Sequence, residues 1–237
     1  MKKITKSSRI YSIGDIHGRS DLLEKLLKKI KEDVKKKPVR NNTIIFLGDY
    51  IDRGKNSKKV VELIINLSDR FKKIFLKGNH EDMLNNFLKD PNLLDIWLVN
   101  GGDKTLTNYG VNLGKFFLGK KDVLQIQKEF LNKIPKRHLH FLKSLKHFYQ
   151  ISNYFFTHAG VRPNIKLSKQ NKKDLMWIRE PFLSSKYDFG KIIVHGHTPS
   201  YQPEIKNNRI GIDTCAHITN LLTSLVIEEN KLRFIQT

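Results

Sequence analysis

The chain has 237 residues, 39% of them apolar, one cysteine, and 44 basic against 23 acidic side chains, for a net charge of +21. That composition excludes global disorder and any internal disulfide, and the length suits one α/β domain over residues 1–237. The charge favours an anionic partner, but the lysines are scattered along every predicted helix, without a basic block or interleaved aromatics, so nucleic acid is not the expected one.

No stretch approaches the ~18 apolar residues of a membrane span. Met1-Lys2-Lys3 runs into polar residues, so no signal peptide is expected and the expected location is the cytoplasm. The first predicted strand, Ile10–Ile13, runs into Gly14-Asp15-Ile16-His17-Gly18. Ser20 or Asp21 is expected to cap a helix with Leu22, Leu23, Leu26, Leu27 and Ile30 on one face. Pro38 and Asn41-Asn42 break the chain before a second strand, Thr43–Leu47, which ends in Gly48-Asp49-Tyr50-Ile51-Asp52-Arg53-Gly54. Ser57 is expected to cap the next helix, and a third strand over 74–77 leads to Gly78-Asn79-His80-Glu81. Strand, loop and helix in this rhythm predict parallel strands with crossover helices.

Residues 82–150 read as a helical insertion without ligands of its own. Strand 154–157 then opens into His158-Ala159-Gly160, and strand 191–195 into His195-Gly196-His197-Thr198-Pro199. Strands over 209–214, 224–227 and 231–235 are spaced like a meander or a second sheet. The Lys- and Asn-rich segment 164–173 reads as a surface loop.

Five strand-end loops thus gather metal-ligand residue types at the edge where open α/β sheets hold ligands. Asp15 and His17 can meet one cation together, and Asp49 has oxygens enough to bridge two. Asn79 offers an amide carbonyl, and His158 and His197 offer imidazole nitrogen. Carboxylate, amide and imidazole without thiolate suit Mn²⁺, Fe or Zn²⁺. Two such ions about 3.5–4 Å apart would share a water and bring its pKa toward neutrality. Arg53 and Arg179 can clamp phosphoryl oxygens. His80 can protonate a leaving oxygen, with Asp52 holding it in the right tautomer. Trp177 and Cys215 read as packed side chains, His195 as core or as a neighbour of the site, and His138, His140 and His147 as solvated.

The three loops Gly14–Gly18, Gly48–Gly54 and Gly78–Glu81 resemble the signatures of the phosphoprotein phosphatase branch of the calcineurin-like metallophosphoesterases. Trp97-Leu98-Val99-Asn100-Gly101-Gly102, running on to Thr105-Leu106 and Tyr109-Gly110, resembles the insertion of small bacterial Ser/Thr protein phosphatases. Bacteriophage lambda phosphatase and the symmetrical diadenosine tetraphosphate hydrolases are similar neighbours. The resemblance implies an α/β sandwich of four layers, two mixed sheets flanked by helices, with metals at one edge. It implies one metal on Asp15, His17 and Asp49, a second on Asp49, Asn79, His158 and His197, a dyad of Asp52 and His80, and phosphate on Arg53 and Arg179. Pro199 stands where broader relatives carry a further histidine, and Cys215 where they often carry glycine.

The expected function is therefore hydrolysis of phosphomonoesters with two divalent ions, Mn²⁺ foremost, on phosphoserine or phosphothreonine in proteins or peptides, with small phosphate esters next. Dinucleoside polyphosphates are the alternative substrate, against which the Asp52-Arg53 pair argues mildly. A basic nucleic-acid-binding protein without chemistry is the alternative of another class.

Overall fold

In the computed structural model, which describes residues 4–5, 7–115, 120–229 and 231–237, ten strands form two five-stranded sheets. The first sheet has the order β10-β9-β1-β2-β3: β1 (Ser8–Ile13), β2 (Asn41–Phe46), β3 (Lys72–Phe75), β9 (Thr223–Glu228) and β10 (Lys231–Gln236). β1, β2 and β3 are parallel, and β9 and β10 are antiparallel additions beside β1. The second sheet has the order β4-β5-β6-β8-β7: β4 (Phe148–Ile151), β5 (Tyr154–Thr157), β6 (Ile192–His195), β7 (Glu204–Ile205) and β8 (Arg209–Gly211). β5, β6 and β8 run parallel, and β4 and β7 close the edges antiparallel.

The alternation of side chains along each strand builds the layers. Ile45 of β2 and Leu47 just after it join Ile10, Ile74, Phe156, Val194 and Ile210 in the core between the sheets. Ile44 and Phe46 point the other way, with Tyr11 and Ile13, and pack against helices. Those helices are α1 (Ser20–Lys36), α2 (Ser57–Ile65), α3 (Asn79–Lys89), α4 (Leu94–Trp97), α5 (Asp103–Asn108), α6 (Lys120–Lys133) and α7 (Lys136–Lys143). On the far side of the second sheet, Phe155 and Ile193 pack under Leu175 of α8 (Lys172–Trp177) and under Phe182 and Phe189. A last short helix, α9 (Ala216–Thr219), follows β8. The expected sandwich of two mixed sheets with helices is the observed architecture.

Several local expectations are corrected. The last strands do not form one sheet: β8 sits beside β6, while β9 and β10 return to β1. β5 has a hairpin partner that the sequence does not signal: β4, which overlaps the end of the expected helical insertion, 82–150. Neither serine caps its helix through its side chain. Arg19 and Asn56 occupy the preceding positions, and Ser57 instead accepts the Asp52 N–H at 3.1 Å. His138 is not solvated. It is fully buried, with Nδ1 2.9 Å from the Tyr109 hydroxyl and Nε2 2.8 Å from Glu62, tying α7 to α2. His147 is half-buried and lies between α7 and β4 rather than on a helix, whereas His140 is exposed as expected.

Candidate metal centre

All five strand-end loops meet at one edge of the sandwich, and their backbones lock together. Ile16 and His17 N–H donate to the Asp49 carbonyl at 3.1 and 2.8 Å, and Gly18 N–H to that of Tyr50 at 3.0 Å. The Gly196 N–H reaches across to the His158 carbonyl at 2.8 Å. Gly48, at φ +113°, lies so close to the next loop that a Cβ would stand 2.5 Å from the Gly78 nitrogen. The buried Glu81 carboxylate accepts the N–H groups of Gly78, Asp49 and Tyr50 at 3.0, 3.0 and 2.8 Å. One side chain thereby fixes two loops. Five expected site residues, His17, Asp49, Asp52, Arg53 and His197, have φ between +45° and +71°. Non-glycine residues in that region cost about 1–2 kcal/mol each, and such strain concentrates where a fixed side-chain direction is required.

The side chains converge accordingly. Asp49, 2% exposed, is common to two tight donor trios: His17–Asp49–His80 and Asp15–Asp49–His158, whose ligand atoms lie within 4.8 Å of one another. These trios cut across the expected partition, which paired Asp15 with His17. His17 Nδ1 faces the Ile51 carbonyl at 3.1 Å and His158 Nδ1 the Leu47 carbonyl at 3.0 Å. Each Nδ1–H can donate there, which leaves Nε2 of both rings as a lone pair aimed into the site, the arrangement that orients ligating histidines. His158 Nε2 then faces Asn79 Oδ1 at 2.8 Å and Asp49 Oδ1 at 3.5 Å, and His197 Nδ1 lies 2.9 Å from the same Asn79 oxygen. Asp15 accepts the His197 N–H at 3.0 Å through Oδ2, while its buried Oδ1 has no partner.

Electrostatics point the same way. Burial, then Asp213 and Asp49, push the Asp15 pKa well above the carboxylate range. Burial alone would raise Asp49 too, but His158, His80 and His17 hold it below its ordinary value. Burial lowers His17 and His158 and takes His197 down to about 3, so these rings are neutral at pH 7 and free to ligate. Converging lone pairs, an orphaned carboxylate oxygen and neutral imidazoles form a donor set that fits hard or borderline divalent cations.

The acid side is equally defined. His80 Nδ1 lies 2.7 Å from Asp52 Oδ2, and Nε2 is buried without a partner, 3.8 Å from Asp49 Oδ2. Asp52 is held by Trp97 Nε1–H at 2.8 Å and by the Thr105 hydroxyl at 2.6 Å. Burial disfavours charge on His80, but Asp49 and the Asp52 hydrogen bond outweigh it and raise its pKa. The insertion, expected only to lean over the strand ends and shape the entrance, thus also supplies two side chains that hold Asp52. The tryptophan and threonine flanking Gly101-Gly102 were the available signal.

The calcineurin-like phosphoesterase family model matches residues 8–225 of this chain. The chain belongs to the calcineurin-like phosphoesterase family. It is 27% identical over 242 residues to an asymmetrical bis(5'-nucleosyl)-tetraphosphatase, PrpE, of Oceanobacillus iheyensis, covering 94% of this chain and 90% of that one. A solved structure of a candidate diadenosine tetraphosphatase superposes with a TM-score of 0.68 at 19% identity, over 97% of this chain and 94% of that one. The cold-active protein tyrosine phosphatase of a psychrophilic Shewanella superposes at 0.59 with 16% identity, over 99% and 82%. The two structures speak to fold alone.

Other expected residues of this phosphoesterase are placed as follows. Arg53 is exposed, and its Nη1 lies 3.2 Å from His17 Nε2 at the mouth of the cluster. Arg179 is exposed too. Trp177 packs against the helix-side core as expected but is only half-buried, donating from Nε1 to Asp82 at 3.2 Å, with its ring 6.5 Å from that of His197. Cys215 is partly exposed rather than packed, and its φ of +56° lies in the left-handed region where glycine is at home. No helix among the described residues is long and apolar enough to cross a membrane.

His195 lies at the end of β6 with Nδ1 3.0 Å from its neighbour's carbonyl, that of Gly196, and burial takes its pKa down to about 4. The unfolded chain therefore binds a proton near pH 6.5 that the folded chain refuses until about pH 4. This contribution is present above pH 6.5 and is lost as pH falls. Between pH 7 and 5.5 it is expected to cost about 1 kcal/mol. Urea unfolding at both values, for the wild type and His195→Gln, checks it: the difference attributable to this group disappears in the variant.

Proposed function

We propose that this chain hydrolyses phosphate esters and anhydrides with two divalent cations. One cation would sit on Asp15, His17 and Asp49, the other on Asp49, Asn79, His158 and His197. When bound, such ions bring the pKa of a shared water toward neutrality and so supply the nucleophile. Mn²⁺ is the first expectation, with Fe or Zn²⁺ suited to the same donors. The observation that carries the reading is the position of Asp49 in both donor trios.

The chain's own side chains do the rest. Arg53 and Arg179 bind and orient phosphoryl oxygens, and their fixed positive charge favours the trigonal bipyramidal phosphorus. His80 gives its Nε2 proton to the leaving oxygen, and Asp52, held by Trp97 and Thr105, keeps the ring aimed.

Bis(5'-nucleosyl) tetraphosphate is the first substrate class, supported by the full-length relatives of that name. Phosphoserine or phosphothreonine in proteins is the second. The orphaned His80 Nε2 supports it, because an alkoxide needs a proton donor more than a nucleotide does. The test is side-by-side turnover of diadenosine tetraphosphate and a phosphopeptide with Mn²⁺, and with EDTA as control. Faster, metal-dependent release of ATP and AMP from the dinucleotide is the expected result. A faster phosphopeptide selects the second reading. No metal-dependent turnover of either, with salt-sensitive nucleic-acid affinity instead, overturns both.

A further inference from the structure

Beside the metal centre lies a cavity of about 230 Å³ lined by Pro199, Ser200, Tyr201, Cys215, Ile218 and Thr219. Its two walls continue the two segments that carry His197 and His217. His217, next to Ile218 on α9, faces the centre. Its ring meets the His17 ring edge-on at 5.0 Å, and its Nδ1 is buried without a partner.

The walls are rigid. Ser200 N–H donates to the Asp213 carbonyl at 3.0 Å, and the Thr219 hydroxyl to that of Thr214 at 2.7 Å. Arg19 clamps α9 from below, donating to the Ala216 carbonyl at 3.0 Å and to Asn220 Oδ1 at 2.6 Å. On these fixed walls stand two apolar side chains that the fold leaves in water: Tyr201, 86% exposed, and Ile218, 69% exposed. Tyr201 has neither a hydrogen bond nor a ring contact among the described residues. A lone exposed apolar residue needs no explanation. Two that bracket one cavity beside a phosphate-binding centre do.

We infer that this cavity is a subsite for the nucleobase of a nucleoside polyphosphate whose phosphates lie on the metal centre, with Tyr201 as the stacking face and Ile218 opposite. The volume is below the ~300 Å³ at which drug-sized pockets begin and suits a single planar ring system. Charge fits as well. Arg53 stands at the mouth of the centre, 3.2 Å from His17 Nε2, and the chain carries +21 overall, so the anionic part of the ligand meets complementary charge.

The inference rests on the nucleotide reading of the site, and a binding experiment separates the two. Calorimetric titration with ADP and with pyrophosphate measures what the nucleoside adds. In the wild type ADP is expected to bind about tenfold more tightly than pyrophosphate, the size of one base–aromatic stack. Tyr201→Ala and Ile218→Ser should each remove most of that difference, Tyr201→Phe should keep it, and pyrophosphate affinity should stay constant in all, which also reports intact folding. Equal affinity for the two ligands in the wild type, or an unchanged gap in Tyr201→Ala, overturns the subsite. Failure to cleave diadenosine tetraphosphate with the ADP preference intact and Tyr201-dependent would sink the substrate reading but leave the subsite standing.

Discussion

Asp49→Asn is expected to lower kcat/KM by at least about a thousandfold and to empty both metal positions. Asp49 belongs to both donor trios, and its two oxygens face different rings: Oδ2 lies 3.4 Å from His17 Nε2, and Oδ1 3.5 Å from His158 Nε2. The amide keeps one acceptor oxygen and turns the other position into a donor, so it can no longer bridge two cations, and neither site keeps its anionic ligand. The loss of a full negative charge in a buried cluster weakens each remaining ligand as well. Elemental analysis of the purified variant, beside a circular dichroism spectrum for folding, checks this. Retained metal with lost activity would assign Asp49 to the chemistry instead of the scaffold. Retained metal and activity would place the reaction elsewhere.

The parts of this site that the sequence made legible are those within five residues of a strand. Asp15, Asp49, Asn79, His158 and His197 each follow an apolar run directly, and a parallel sheet brings such ends to one edge whatever the details of packing. What remained hidden depends on partners distant in sequence. Trp97 and Thr105 reach Asp52 across separations of 45 and 53 residues. His138 looked solvated because its neighbours along α7 are basic and exposed, while the Glu62 that holds it is 76 residues away. The placement of β9 and β10 beside β1 was hidden for the same reason: period-2 alternation specifies a face, not a neighbour. The spread of lysine over the surface gave no sign of the Tyr201–Ile218 cavity, whose walls are tied by the Ser200 N–H to the Asp213 carbonyl.

His80→Asn separates two roles that geometry alone permits. The ring belongs to a donor trio with His17 and Asp49, so it could ligate; its Nδ1 bond to Asp52 and its orphaned Nε2 equally suit a proton donor. If it is the acid, metal content stays at the wild-type level while kcat falls by about 10²–10⁴-fold. The fall then depends on the leaving group. A serine alkoxide cannot depart unprotonated, whereas p-nitrophenolate can, so p-nitrophenyl phosphate should lose less than about tenfold while a phosphoserine peptide loses the full factor. A nucleotide leaving group, a phosphate oxyanion about as weakly basic as p-nitrophenolate, should lose as little as p-nitrophenyl phosphate. Thr105→Val removes one of the bonds that aim Asp52, so it should reproduce the same leaving-group pattern at smaller amplitude, because the proton is still present but poorly directed. An equal loss on all substrates, accompanied by loss of metal, would make His80 a ligand. The order of sensitivities in the first outcome also bears on the natural substrate. An acid held this firmly by Asp52, Trp97 and Thr105 contributes most when the leaving group is an alkoxide. A large effect on the dinucleotide would mean that even a phosphoanhydride departs here only with its proton.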